Sequence, residues 1–270
     1  RTARTKRRKS GNPCCACQLG ASGGSAVNAR VWSWRRRLEA VTRLLLPPRC
    51  LHCGAPGAAG RDLCADCRDS LPHNACACPR CALPIPQPAP ACGRCIKRPP
   101  PASTALAPFV YADPVDRWLP RFKFARDLAA GRVLADLVLE DSRLPALIDG
   151  IDAVLPLPLH RSRLAERGYN QALELARPLA RAFDLPLRQD WLRRVRATAP
   201  QTGLDARARR RNLRGAFVAD AAMRGQRVLL VDDVITTGSS MLEATRACRR
   251  AGAIEVRVLA VARAPLAGRR

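Results

Sequence analysis

With 270 residues and 47% hydrophobic composition, the chain has room for one full α/β domain plus a smaller module, which excludes a protein too polar to bury a core. Lys and Arg total 47 against 22 Asp and Glu, a formal charge of +25 carried almost wholly by arginine. Such an excess suits polyanionic partners; compositional bias, with arginine on solvated faces, explains it equally well. No apolar stretch follows the basic start Arg1–Lys9, and no run approaches a membrane span, so the expectation is a cytoplasmic protein without membrane insertion.

In chain order, residues 1–30 read as a disordered basic leader that turns Gly/Ser/Ala-rich. Its Cys14, Cys15 and Cys17 are spaced too tightly for an ordinary four-ligand site. Residues 31–48 form an expected amphipathic helix, with Val31, Trp34, Leu38, Val41, Leu44 and Leu45 at helical spacing until Pro47-Pro48 ends it.

Residues 49–98 are a cysteine module. Four CxxC pairs lie within 46 residues: Cys50/Cys53, Cys64/Cys67, Cys78/Cys81 and Cys92/Cys95. Each CxxC turn brings two sulfurs to one tetrahedral ion, and two turns complete a closed structural zinc site. Sequential pairing is simplest; a cross-braced pairing has the same spacings. Cys76 is a spare beside Cys78, and His52 is a bystander. Disulfide or redox CxxC chemistry is the alternative. The pairs themselves suit metal binding in a reducing compartment.

After Pro99-Pro-Pro101, residues 102–270 alternate strand and helix. Leu106–Tyr111 and the aromatic-basic stretch Trp118–Phe124 precede a helix from about Leu128 to Ser142. The expected strands are Ile151–Leu157, Gln226–Val231 and Glu255–Ala262. The expected helices are Asn170–Phe183, with Asn170 as its cap, and Ser239–Arg250, ended by Gly252. Strands alternating with helices imply parallel βαβ units. Cys248, in the last helix, is expected to be a small buried apolar residue.

The segment Arg227-Val-Leu-Leu-Val-Asp-Asp-Val-Ile-Thr-Thr-Gly-Ser-Ser240 carries the functional argument. Val228–Val231 is the apolar run of a strand covered on both faces. Asp232 and Asp233 stand where that strand is expected to end, which is where open parallel sheets bind ligands. Thr236, Thr237, Gly238, Ser239 and Ser240 then supply hydroxyls, a flexible glycine and the first amides of a helix, a cradle for one phosphate. It lacks the P-loop lysine. The paired aspartates suit ribose hydroxyls, or Mg²⁺ held through water. Arg161, Arg163 and Arg167 follow the strand Ile151–Leu157 and form a candidate diphosphate loop. Gly168 could relieve a tight backbone there. Lys123 between Phe122 and Phe124 could put a cation at the pocket rim or form part of a base-stacking surface, and Arg207–Arg211 with Gln201 could form a flap.

Residues 227–240 resemble the phosphoribosyl-diphosphate (PRPP) signature of type I phosphoribosyltransferases. From about Pro47 onward the chain resembles the ComF family of competence-associated proteins, including GntX-like members. The motifs are the four CxxC pairs, Phe122-Lys-Phe124, Leu155-Pro-Leu-Pro-Leu-His160, Arg163, Glu166-Arg-Gly-Tyr-Asn-Gln171, Gln201-Thr-Gly-Leu204, Arg207 and Arg211–Phe217. The resemblance implies a parallel-sheet α/β phosphoribosyltransferase-like fold behind a small zinc-ribbon-like module. It also implies ribose contacts from Asp232 and Asp233, 5′-phosphate contacts from Thr236–Ser240, Mg²⁺ arriving with PRPP, and a link to DNA uptake.

Two functions follow as expectations. One is a PRPP-dependent phosphoribosyltransferase with an unnamed acceptor. The other is a non-catalytic module that reuses the pocket for a nucleotide-like ligand, single-stranded DNA or a DNA-uptake partner. A zinc-finger regulator reading duplex DNA lacks a recognition helix.

Overall fold

A computed structural model describes residues 47–196 and 213–266. The expected leader, the helix over 31–48 up to Leu46, and the Gln201 and Arg207–Arg211 flap lie outside them. The described residues from Pro48 onward belong to one compact unit.

The cysteine module is two copies of one device. In each, a CxxC turn is closed by a short bridge, Arg49 with Pro56 and Ala77 with Pro84. The third cysteine then starts a five-residue helix: Cys64 caps α1 (Ala65–Asp69) and Cys92 precedes α2 (Gly93–Lys97). Asn74, buried between the copies, donates from Nδ2 to the carbonyls of Ala82 at 2.9 Å and Ala107 at 3.1 Å. That bond pair ties the second copy to the adjoining sheet.

The sheet is wholly parallel. Strands β1 (Thr104–Leu106) and β2 (Phe109–Val110) share one edge and both pair with β7 (Glu255–Arg263). Next to β7 runs β6 (Arg227–Ile235), and the far edge is β3 (Ala153–Pro156). Alternation along β6 divides the core. Leu229 and Val231 face a cluster with α3 (Val115–Phe124), α4 (Leu128–Leu139), α5 (Leu144–Ile148) and α7 (Gln171–Ala182). Val228 and Leu230 face α8 (Ser239–Arg250) and the antiparallel pair β4 (Leu192–Arg194) and β5 (Phe217–Ala219). Cys248 is fully buried on that side, and burial pushes its thiol up to about 12.

The aromatic-basic stretch Trp118–Phe124 is itself helical, as most of α3. Pro120 inside it removes one amide donor, but Trp118, Leu119 and Phe122 are each at most 1% exposed, and that burial outweighs the lost bond. The Phe122 ring packs against Gly131 of α4, where an added Cβ would lie 2.4 Å from the ring. Phe124, one turn end later, is exposed.

Two boundaries differ from expectation in ways that build the site. The strand β6 runs on through both aspartates to Ile235, because β7 pairs with it as far as Arg263 while β3 stops opposite Val231. The arginine segment after β3 is a helix, α6 (Arg161–Arg167), rather than a loop. His160 caps it at one end, and Gly168, at φ 84°, ends it at the other.

Candidate functional site

Beyond Val231, β6 overhangs the sheet and its ladder toward β3 is replaced by side chains. The next carbonyl on β3's path, Leu157 O, accepts from Asn170 Nδ2 at 3.1 Å. The Asn170 Oδ1 meanwhile caps α7 by accepting from Ala172 N at 3.1 Å. Where β3 no longer runs alongside, Asp233 N donates to Asp232 Oδ1 and Val234 N to Asp233 Oδ1, both at 2.9 Å. The chain then turns through Thr236–Gly238 into α8. Gly238 sits at φ 76°, a left-handed value that glycine adopts without strain, and as the cap residue it offers no side-chain acceptor. Thr237 Oγ1 accepts from Ser239 N at 3.4 Å, and the next amides, like those of any first helical turn, have no intrahelical acceptor. Thr237 Oγ1 and Ser239 Oγ lie 2.9 Å apart beside them.

This turn forms one wall of a cavity of about 600 Å³. Asp232, Thr236, Thr237, Gly238, Ser239 and Ser240 line it, as do Arg163 and Arg167 from α6 and Lys123 from α3. Sequence reasoning missed two of its cationic neighbours, Arg126 and Arg194, and had Glu166 only as part of a family motif without a place in the site. Five cations against two carboxylates leave the cavity strongly positive. Arg194, on β4, is half-buried. Burial lowers its pKa, the nearby Arg163 adds to this, and Asp232 opposes it. Arg167 lies over the Phe124 ring at 5.2 Å and donates to Gln171, so the exposed aromatic serves as a shelf for a pocket arginine. Arg161 is exposed and lies outside the wall.

The two aspartates separate, as consecutive strand residues must. Asp232 faces the cavity. Asp233 is 2% exposed on the other face and holds Lys123 through an ion pair at 2.5 Å. Burial, then the Asp233 carboxylate, push the Asp232 carboxyl well above the usual carboxylate range, while Lys123 opposes both. Asp233 thus acts from behind, fixing the cation at the rim.

The eight CxxC cysteines fall into two sets, Cys50/Cys53/Cys64/Cys67 and Cys78/Cys81/Cys92/Cys95, with all sulfurs of a set within 4.8 Å of one another. Pairing is sequential, not cross-braced, and neither Cys76 nor His52 belongs to a set. The Cys53–Cys64 and Cys81–Cys92 sulfurs are 3.7 and 3.8 Å apart, matching the ~3.8 Å edge of a tetrahedron with bonds of about 2.3 Å. Both are therefore zinc-binding Cys₄ sites. Burial opposes ionisation of Cys50 and Cys78, yet backbone N–H donors win and lower them to about 6 and about 7, whereas burial and the neighbouring sulfurs push Cys67 and Cys95 of the same sets up.

One further residue joins the second zinc site to the cavity. Arg263, at the end of β7, is 2% exposed. Its Nε donates to Cys81 O at 3.1 Å. Its Nη1 reaches Ile235 O and Ala264 O at 2.8 Å each, and also the carbonyl of Thr236. It pins the first residue of the phosphate turn to a zinc-ligand loop. No motif marks it, because its partners are carbonyls of two distant segments and of its own neighbour Ala264.

Comparison with known proteins gives the family. Residues 41–96 match the double zinc ribbon domain, and residues 170–269 match the phosphoribosyl transferase domain. Competence protein F of Haemophilus influenzae is 35% identical over 226 residues, covering 80% of this chain and 97% of the relative. The chain belongs to the competence protein F (ComF) family. DNA utilization protein YhgH of Escherichia coli O157:H7 is 34% identical, covering 82% of this chain and 99% of that protein. A solved glutamine PRPP amidotransferase from B. subtilis, in complex with ADP and GMP, is similar over 48% of this chain and 26% of its own, at 22% identity and a TM-score of 0.34, too loose a likeness to argue from.

In this ComF-family chain the double zinc ribbon match contains all eight zinc ligands, and the phosphoribosyl transferase match contains β6, the phosphate turn, α8 and β7. Lys123, Arg126, Arg163 and Arg167 precede the second match, so four of the cavity's five cations come from sequence outside it. Among the described residues no helix is long and apolar enough to cross a membrane.

Proposed function

We propose that the cavity binds the ribose 5-phosphate end of PRPP or of a nucleotide, in a ComF-family protein that acts in handling DNA taken up by the cell. One observation carries the reading: a carboxylate, a ring of cations and a helix start with hydroxyls converge on a single cavity of nucleotide size. The 5′-phosphate would sit on the amides of Ser239 and Ser240 with the Thr237 and Ser239 hydroxyls beside it. Asp232 would accept from the ribose 2′- and 3′-hydroxyls, or hold Mg²⁺ through water. Mg²⁺ would supply neutralisation of the diphosphate oxygens.

Were PRPP to react, the bond from the anomeric carbon to diphosphate would break and an acceptor would take its place. Arg163, Arg167 and Arg194 stand where a departing diphosphate needs positive charge. The names of the relatives, a competence protein and DNA utilization proteins, favour the second reading, in which the ribose phosphate belongs to the end of a DNA strand and no transfer follows. The two separate in one experiment. Zinc-loaded protein is titrated with PRPP and Mg²⁺, with and without candidate amine and nucleobase acceptors, while melting temperature and released diphosphate are followed together. Stabilisation with diphosphate release assigns a transferase, and stabilisation alone assigns binding. If neither occurs with PRPP, ribose 5-phosphate or thymidine 5′-monophosphate, the proposal fails.

A further inference from the structure

A second cavity, of about 720 Å³, lies on the other side of the phosphate turn. The two share Ile235, Thr237, Gly238, Ser239 and Met241 as a common wall, so only the thickness of that turn separates them. The outer wall comes from the second zinc ribbon and the segment after it. Arg94, Lys97 and Arg98 are exposed there and form no ion pair among the described residues. No carboxylate lines the cavity. Arg80, Arg246 and Arg263 also line it, Arg246 paired with Glu243 and Arg263 bonded to carbonyls, and the rest is largely apolar, with Pro99–Pro101, Leu242 and Val258. Three uncompensated cations beside an apolar wall are costly to hold together by mutual repulsion, and an anion with a flat apolar body relieves that.

We infer that this cavity is a second phosphate subsite, taking a phosphate-bearing group with an attached base, and that it receives the nucleotide next to the one whose ribose phosphate fills the first cavity. The inference rests on the reading proposed above for the first cavity. It gives the zinc ribbon a role in binding as well as folding. Cys81 and Arg80 at the ribbon's knuckle and Arg94 on α2 line the subsite, and the Arg80 guanidinium already bonds Pro100 O at 3.4 Å, bracing the proline wall.

The test uses the full zinc-loaded chain, a triple variant Arg94→Ala, Lys97→Ala, Arg98→Ala, and three probes: ribose 5-phosphate, thymidine 5′-monophosphate and 5′-phosphorylated tetrathymidylate. The substituted side chains are exposed, and a zinc content of two per chain checks that the variant is folded. Tetrathymidylate affinity should fall on the order of tenfold or more, and its dependence on log salt should flatten by about 2, at ~0.7 per lost single-strand phosphate contact. Ribose 5-phosphate binding should change less than about twofold. A mononucleotide stoichiometry of two, falling to one in the variant, would mean that free nucleotides fill the subsite. A stoichiometry of one in both proteins would mean that it takes the neighbouring nucleotide of a strand. Unchanged tetrathymidylate affinity and salt slope overturn the inference, as does an equal loss of all three probes. If wild-type protein ignores ribose 5-phosphate and the variant still loses tetrathymidylate, the first-cavity reading falls and the second subsite stands.

Discussion

Replacing Arg263 by Met should weaken the fold and the phosphate turn together. The guanidinium is 2% exposed and serves carbonyls of Cys81, Ile235, Thr236 and Ala264. The Ile235 carbonyl keeps a bond from Ala264 N at 3.0 Å. The part-buried carbonyls of Cys81, Thr236 and Ala264 are therefore the ones left unmatched, at about 1–3 kcal/mol each where water cannot replace the donor. Removing a charge that burial itself disfavours returns part of this, since isolated buried charge is expensive. A net loss of about 3–5 kcal/mol follows, or roughly 10 °C in melting temperature for a domain of this size. Arg263→Lys keeps a cation but gives up the forked geometry that spans two loops, so it should fall between wild type and Met. The assay is thermal unfolding followed by circular dichroism, with zinc content measured before and after and ribose 5-phosphate titrated into each protein. The Met variant should bind the ligand on the order of tenfold more weakly at a temperature where it is still folded. If it melts within about 2 °C of wild type and binds equally well, the link between zinc ribbon and turn has no energetic content.

The two aspartates should behave differently. Asp232→Asn should cost about 2 kcal/mol of ligand binding, on the order of thirtyfold, with little change in melting temperature. Asp233→Asn strips Lys123 of its partner at 2.5 Å and should lower stability by about 2 kcal/mol as well; calorimetry and melts on both variants decide. Gly131→Ala drives a methyl into the Phe122 ring and should cost about 1–3 kcal/mol in a urea titration, although alanine is the better helix former. Glu255 gives a pH signature. The Arg257 side chain, bonded at 2.7 and 3.2 Å, holds its carboxyl below the usual range against the effect of burial, with Ser103 assisting. A depressed folded pKa means stability that is complete above the ordinary glutamate value near ~4.3 and lost as pH falls through the lowered one. The stability gap between wild type and Glu255→Gln, read from urea midpoints, should therefore close on acidification.

Much of this architecture was legible because it rests on local patterns. Alternating apolar runs and helical spacing located β3, β6, β7, α7 and α8, and Asn170 was recognisable as a cap because its side chain competes for exposed amides. Helix α3 was hidden by Pro114 and Pro120, whose local preference is overruled by burial of Trp118 and Phe122. The reach of β6 to Ile235 was masked by Asp232 and Asp233, which end the apolar run but not the ladder to β7. The zinc pairing could not be read because both pairings use identical CxxC turns, and only the fold decides which turns meet. Arg126, Arg194 and Arg263 escaped notice for one reason: in a chain so rich in arginine, residue type carries no signal, and their roles come from tertiary position.

The most direct test of the ribose-phosphate cavity is to follow backbone amide resonances while ribose 5-phosphate and Mg²⁺ are added to zinc-loaded protein. Saturable one-to-one shifts centred on Gly238, Ser239 and Ser240, absent for ribose alone, are expected. Shifts confined to the exposed arginines, with the turn unmoved, would contradict the account.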